Sequence, residues 1–215
     1  MLLDNSKYKI PGDEEIGVAL APFGVMPSPP LYEQIRIYLH ILLQWHEKVS
    51  LTAIREPQEI LTRHFGESMF AANAVPIDSG RLADVGSGAG FPAIPIKLVR
   101  PELNVTLIEP NARKGAFLAE VVRGLKFADV TVLRSRFENA SVILSSIDFI
   151  TSRALDPANG LLPWAHRSLA PGGRLVLWTT TEAAVEISAD VHWSWCKPLP
   201  IPQSTHRSLL AGQPL

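Results

Sequence analysis

Cysteine is nearly missing from this chain: its 215 residues contain one, Cys196. That excludes an internal disulfide framework and a cysteine-rich zinc site, so no metal is expected and a reducing cytoplasm is the natural compartment. An excess of either charge is missing too. Twenty Lys and Arg stand against 21 Asp and Glu, a formal net charge of −1, so no global basic field draws in nucleic acid. A nucleic-acid partner would need a local patch. Long apolar runs are absent as well: no stretch approaches the roughly 20 residues that span a bilayer, and no membrane association is expected. The start, MLLDNSKYKIPGDEE, lacks the basic region and apolar core of a signal peptide. There is no internal repeat.

What is present fits a soluble globular protein, with 47% hydrophobic and 19% charged residues. Residues 1–30 are loosely patterned and end in Pro27, Pro29 and Pro30, which reads as a linker or loop. Leu31, Ile35, Tyr38, Leu39, Leu42 and Trp45 then recur at helical spacing, which predicts a helix over 31–48. A second helix is expected from Pro57, with Ile60, Leu61, Phe65, Met69 and Ala72 on its apolar face. These helices make a cap over 31–78.

From residue 81 the pattern changes. The β-rich runs RLADV, NVTLIE, DVTVLR, DFITSR and GRLVLWTT alternate with helical segments at 92–100, 111–126, a short turn, 157–168 and 182–188. Such alternation predicts parallel strands joined by crossover helices, a doubly wound α/β sheet that packs with the cap as one unit over 79–215. One or two antiparallel strands are expected at the end, and Cys196 reads as a packed thiol.

Ligands of such folds collect at the carboxyl ends of the strands. There the sequence reads LADVGSGAGFPAIP, with Gly86, Gly88 and Gly90 in the loop after the first strand. The dinucleotide fingerprint G-x-G-x-x-G has its third glycine one residue later, and no Gly-Lys-Ser/Thr phosphate loop follows. What remains resembles the G-x-G-x-G loop of Rossmann-like methyltransferases that use S-adenosylmethionine (SAM), a ligand without phosphate. Glu109 closes the second strand, where a carboxylate accepts hydrogen bonds from ribose hydroxyls. Asp84 either fixes the loop or helps receive the ammonium group of the cofactor.

Methyl transfer is an in-line displacement in which the enzyme chiefly positions donor and nucleophile. Carbon-5 methylation of pyrimidines needs a cysteine nucleophile, and Cys196 is far from the strand ends. Adenine-N6 enzymes carry an Asn/Asp-Pro-Pro-aromatic motif after the fourth strand, where this chain reads SRALDP. A target with a free lone pair, such as guanine N7, needs no base, and the lack of an obvious general base is compatible with it.

Three blocks resemble the bacterial small-subunit rRNA guanine-N7 methyltransferases, the glucose-inhibited division protein B family. They are WHEKVSLTAI (45–54) with His64 and Ser68; DVGSGAGFPAIP (84–95); and IEPNARKGAFLAEV (108–121) with RFE (136–138) and TSRAL (151–155). The resemblance implies a Rossmann-like class I SAM-dependent fold with a mostly parallel seven-stranded sheet and an N-terminal helical cap. It implies 16S rRNA in the small ribosomal subunit as substrate, and a monomer. Cofactor contacts are implied for Asp84, Gly86, Gly88, Gly90, Phe91, Glu109, Phe137, Glu138 and Arg153, the last also positioning reactants at the mouth of the active site. Arg63, His64, Arg113, Lys114 and Arg136, with Arg134 beside them, are expected to form a phosphate-binding patch for RNA.

The chain departs from the family pattern at His46, Ser50, Glu67, Ala93 and Trp178–Thr179, and its end, HRSLLAGQPL, lacks a basic final strand. The cofactor side is mostly kept and the losses fall on the expected RNA side. Methylation of another RNA or of a small molecule therefore stays open, as does a non-catalytic member that binds SAM or rRNA.

Overall fold

Two prolines open the first long helix of the chain because the missing N–H of a proline costs nothing in a first turn. In the computed structural model, which describes residues 9–140, 146–153 and 160–215, a short helix α1 (Asp13–Leu20) precedes α2 (Pro29–His46). The reading of residues 1–30 as linker thus fails for 13–23. Ile16, Leu20 and Phe23 are buried there, and Gly66 leaves room for the Phe23 ring. The apolar spacing is too short for a periodicity to show, so only tertiary packing reveals this helix. Residues 1–8 lie outside the described residues.

Beyond α2 come α3 (Pro57–Ile60), a π-turn over Leu61–Gly66 and α4 (Glu67–Ala74). The expected helix from Pro57 is therefore present, interrupted by a wider turn. Such turns are frequent at functional sites, and this one carries Arg63 and His64.

The sheet is built from β1 (Gly80–Val85), β2 (Leu103–Ile108), β3 (Val130–Leu133), β4 (Ile147–Arg153) and β5 (Leu169–Thr180), which pair with one another in parallel. Then β6 (Trp193–Trp195) and the two-residue β7 (Leu199–Pro200) each pair antiparallel with β8 (Arg207–Pro214), which itself lies antiparallel to β5. The main path runs β3-β2-β1-β4-β5-β8-β6, the expected seven strands, with β7 off the path. Pro198, Pro200 and Pro202 lack the N–H that a longer ladder needs, which keeps β7 short.

Apolar side chains fill both faces of the sheet. On one face α2, α4, α5 (Ala93–Val99) and α6 (Ala112–Gly124) pack together, with Trp45 edge-on to Phe117 at 5.8 Å. Asn111 starts α6 by accepting from the amides of Arg113 and Lys114, a cap whose loss costs about 1 kcal/mol. On the other face α7 (Phe137–Ala140), α8 (Leu161–Ser168) and α9 (Thr181–Ile187) cover the sheet, with Trp164 buried. The expected helix over 157–168 begins outside the described residues. Cys196 is exposed rather than packed: along the edge strand Trp193 turns inward and its alternate neighbours face out. Among the described residues no helix is long and apolar enough to cross a membrane.

Candidate functional site

The order of strands reverses between β1 and β4, and the carboxyl ends of β1, β2 and β4 deliver Gly86, Glu109 and Arg153 to the same edge. The amides of Gly86 and Ser87 both donate to the Ile108 carbonyl, at 3.0 and 3.1 Å. This turns the chain away from the sheet. Gly90 has φ +86°, and a Cβ there would sit 2.5 Å from Ile94 and 2.6 Å from the Tyr38 hydroxyl. That position therefore requires glycine twice over, for its backbone and for its space.

Glu109 holds this loop. Its Oε2 accepts from the Gly88 amide at 2.9 Å and its Oε1 from the Asn111 amide at 2.8 Å. Each oxygen has a second lone-pair direction, so the carboxylate can accept two further donors such as vicinal hydroxyls. Tyr38 braces the loop from the cap. Its hydroxyl donates to the Ala89 carbonyl, and its ring stacks on Phe91 at 5.2 Å.

These elements border a cavity of about 590 Å³, within the range of small-molecule sites. Gly86, Gly88, Phe91 and Glu109 line it from the loop and the end of β2; Lys114, Arg136, Phe137 and Glu138 line it from α6 and the segment after β3; Arg153 and His64 complete the lining. Phe137 is half-buried and edge-on to Trp164 at 5.6 Å, which fixes its ring. Asp84 and Gly90 stand behind the wall. Asp84 is buried, its Oδ1 accepts from the Thr151 hydroxyl at 2.7 Å, and burial pushes its carboxyl up to about 6. Of its two expected roles, loop support fits this placement.

Of the five residues expected in the RNA patch, His64, Lys114 and Arg136 line the cavity together and the other two do not. Exposed Arg113 stands off it, and Arg63 faces a second cleft. His64 lies in the cavity wall, stacked on Phe91 at 4.7 Å and paired through Nε2 with Thr52 Oγ1 at 2.7 Å. Burial, reinforced by Arg153 and Arg63, lowers its pKa to about 3. It is neutral and brings no charge to a phosphate patch, contrary to the sequence expectation. The π-turn leaves it half-buried against Phe91, which no periodicity reveals.

Arg153 is held in the cavity wall. Its Nη1 donates to the Arg63 carbonyl at 3.0 Å and its Nη2 to Glu67 Oε2 at 3.1 Å. Glu67, buried in α4, accepts from Arg207 through its other oxygen, and its backbone carbonyl accepts from Trp178 Nε1 at 3.0 Å. Two of the departures noted in the sequence, Glu67 and Trp178, thus touch one another. Sequence reasoning missed Tyr38 as a loop brace, because it sits on the apolar face of a helix, and missed Thr52 and Arg207 altogether. Thr52 stands inside the LTAI block, which was the only signal for it.

The donors and shapes present fit SAM. A carboxylate with spare lone pairs ends β2, glycine backbone faces the cavity, and an aromatic ring lines it too. No cluster of metal ligands occurs among the described residues.

Comparison with known proteins agrees. A family model described as rRNA small subunit methyltransferase G (GidB) matches residues 31–199. The ribosomal RNA small subunit methyltransferase G of Xanthomonas axonopodis pv. citri (strain 306) is 40% identical over 152 residues, 71% of this chain and 70% of that protein. Its namesake in Chloroflexus aggregans is 35% identical over 199 residues, covering 87% and 84%. In solved structures, the fold is shared with a SAM-dependent methyltransferase from Aquifex aeolicus at TM-score 0.60 and 17% identity, covering 74% of this chain and 94% of that one. A ribosomal protein L11 methylase from Lactobacillus delbrueckii subsp. bulgaricus matches at TM-score 0.57 and 15% identity, covering 71% and 79%. The sheet is that of class I SAM-dependent methyltransferases, and the chain belongs to the rRNA small subunit methyltransferase G family.

Proposed function

We propose that this chain transfers the methyl group of SAM to N7 of a guanine in the 16S rRNA of the small ribosomal subunit. The cofactor supplies an electrophilic methyl on a sulfonium; the residues of the chain hold and orient. Glu109 takes the ribose hydroxyls, Gly86 and Gly88 let the ligand approach the backbone, and Phe91, Phe137 and Glu138 flank it. Asp84 and Gly90 support the loop from behind. Arg153 positions the reactants at the mouth, and Lys114 and Arg136 meet RNA at the open edge. Arg113 contributes only long-range attraction. The cap over 31–78 and the sheet domain over 79–215 act as one unit, as a monomer in the cytoplasm.

The match of residues 31–199 to the rRNA small subunit methyltransferase G family carries this reading. The imidazole in the cavity wall, His64, is compatible with it: burial and neighbouring arginines lower its pKa to about 3, so it is a poor proton acceptor near neutrality. Guanine N7 presents its lone pair without losing a proton, so no base is required of this wall.

Labelled SAM and small subunits from cells lacking the endogenous activity test the proposal. Transfer of label to 16S rRNA is expected. SAM binding without transfer would favour a non-catalytic member, and transfer to a small molecule alone would overturn the rRNA reading.

A further inference from the structure

Beside the methyl-transfer cavity lies a second cleft, of about 430 Å³, between the π-turn and the loop that leads into β8. Thr62 and Arg63 line it from the cap; Ser204, Thr205, His206 and Arg207 line it from the C-terminal loop. We propose that this cleft binds a backbone phosphate of the substrate RNA, next to the nucleotide whose base enters the first cavity. The inference rests on the reading of the chain as an rRNA methyltransferase.

Charge is the first argument. Glu67 is the carboxylate shared by Arg153 and Arg207, one negative charge against two guanidinium groups. A third guanidinium, Arg63, meets only Glu59 at 2.8 Å, and both side chains of that pair are more than 40% exposed, at 42% and 45%. Exposed pairs of this kind hold little energy and are readily exchanged for a better anion. Of the charged groups that line the cleft itself, Arg63 and Arg207 are positive against Glu67, so positive charge is in excess there within a chain whose total is −1.

Donors are the second argument. The Nε of Arg63 and the Nε of Arg207 are buried without a hydrogen-bond partner among the described residues. Ser204 Oγ accepts from the amides of His206 and Arg207, at 3.4 and 3.1 Å, so its own proton is directed elsewhere. Planar guanidinium forks and a hydroxyl match a tetrahedral phosphate, whose oxygens only accept.

Position is the third. The Arg63 carbonyl accepts from Arg153 and the side chain of Arg63 faces the second cleft, so one residue forms the wall between the two spaces. An RNA strand that places a base against Arg153 runs its backbone across that wall. Base and phosphate are then held by neighbouring groups.

The test is equilibrium binding of the full chain to small subunits across a salt series, with SAM affinity measured in parallel for Arg63→Gln and Arg207→Gln. Each lost phosphate contact is expected to make the slope of log affinity against log salt shallower by about 0.7–0.9. Affinity for subunits should fall severalfold while SAM affinity stays within about twofold of wild type. Should Arg207→Gln fail to fold, Arg63→Gln decides alone, because its side chain pairs only at the surface. Unchanged slopes in a protein that still methylates subunits would overturn the phosphate site and leave the activity standing. A parallel loss of SAM affinity would also overturn it, since the effect would then pass through Glu67 to the first cavity. Absence of methyl transfer by the wild type would overturn the underlying reading and the phosphate site with it.

Discussion

Arg153 Nη2 and Glu67 Oε2 lie 3.1 Å apart, and the Glu67 side chain is 2% exposed. A residue from the end of β4 is thereby fixed by one from the start of α4, the sheet by the cap. Glu67 also accepts from Arg207 of β8, so one carboxylate joins three parts of the chain. Removing the charge strands two guanidinium groups. Glu67→Gln is expected to cost about 3–5 kcal/mol, read by denaturant unfolding, whereas Glu67→Asp keeps the charge and should cost less. Equal losses would show that shape rather than charge matters there.

Glu109→Ala should weaken SAM binding by about 1–3 kcal/mol, because it removes the acceptor for the ribose and frees the Gly88 amide. Calorimetric titration measures this directly. An unchanged affinity would remove Glu109 from the site.

Tyr38→Phe deletes one hydroxyl that donates to the Ala89 carbonyl and leaves the ring stacked on Phe91. Stability should fall by about 1–2 kcal/mol. SAM affinity should fall with it, since the braced loop is the one that faces the cavity. A stability loss with intact affinity would make Tyr38 a packing residue only.

Two groups of shifted pKa give opposite pH slopes. Asp84 is raised by burial from 3.8 to about 6, so the native state binds the extra proton and stability falls as pH rises through that window. His64 is lowered by burial and by Arg153 and Arg63, from 6.5 to about 3. There the unfolded state binds the proton, and stability falls as pH drops below 6.5. Against wild type, Asp84→Asn should make stability climb more steeply from pH 4 to 6, and His64→Gln should flatten or invert the climb. Denaturant midpoints across that range check both signs.

Much of this was legible because it is local. Alternation of β-rich and helical runs, the glycine spacing and the acid at the end of β2 each act over a few residues, and all three appear where expected. What failed to show is what depends on contacts across the chain. The helix over Asp13–Leu20 is held by packing against the π-turn region rather than by a long apolar stripe. The neutrality of His64 comes from burial and from Arg153, 89 positions along the sequence. Glu67 looked like a simple departure from a pattern, because Arg207 and Trp178 meet it only in the fold.

Methyl transfer to guanine N7 is read from the product by mapping the modified nucleotide. Small subunits from cells lacking the endogenous activity are incubated with the chain and SAM, and the 16S rRNA is treated with borohydride and aniline. Strand cleavage, read by reverse transcription, is expected at a guanine left uncleaved when SAM is omitted. Full incorporation of label with no such cleavage would place the methyl group elsewhere and contradict transfer to N7.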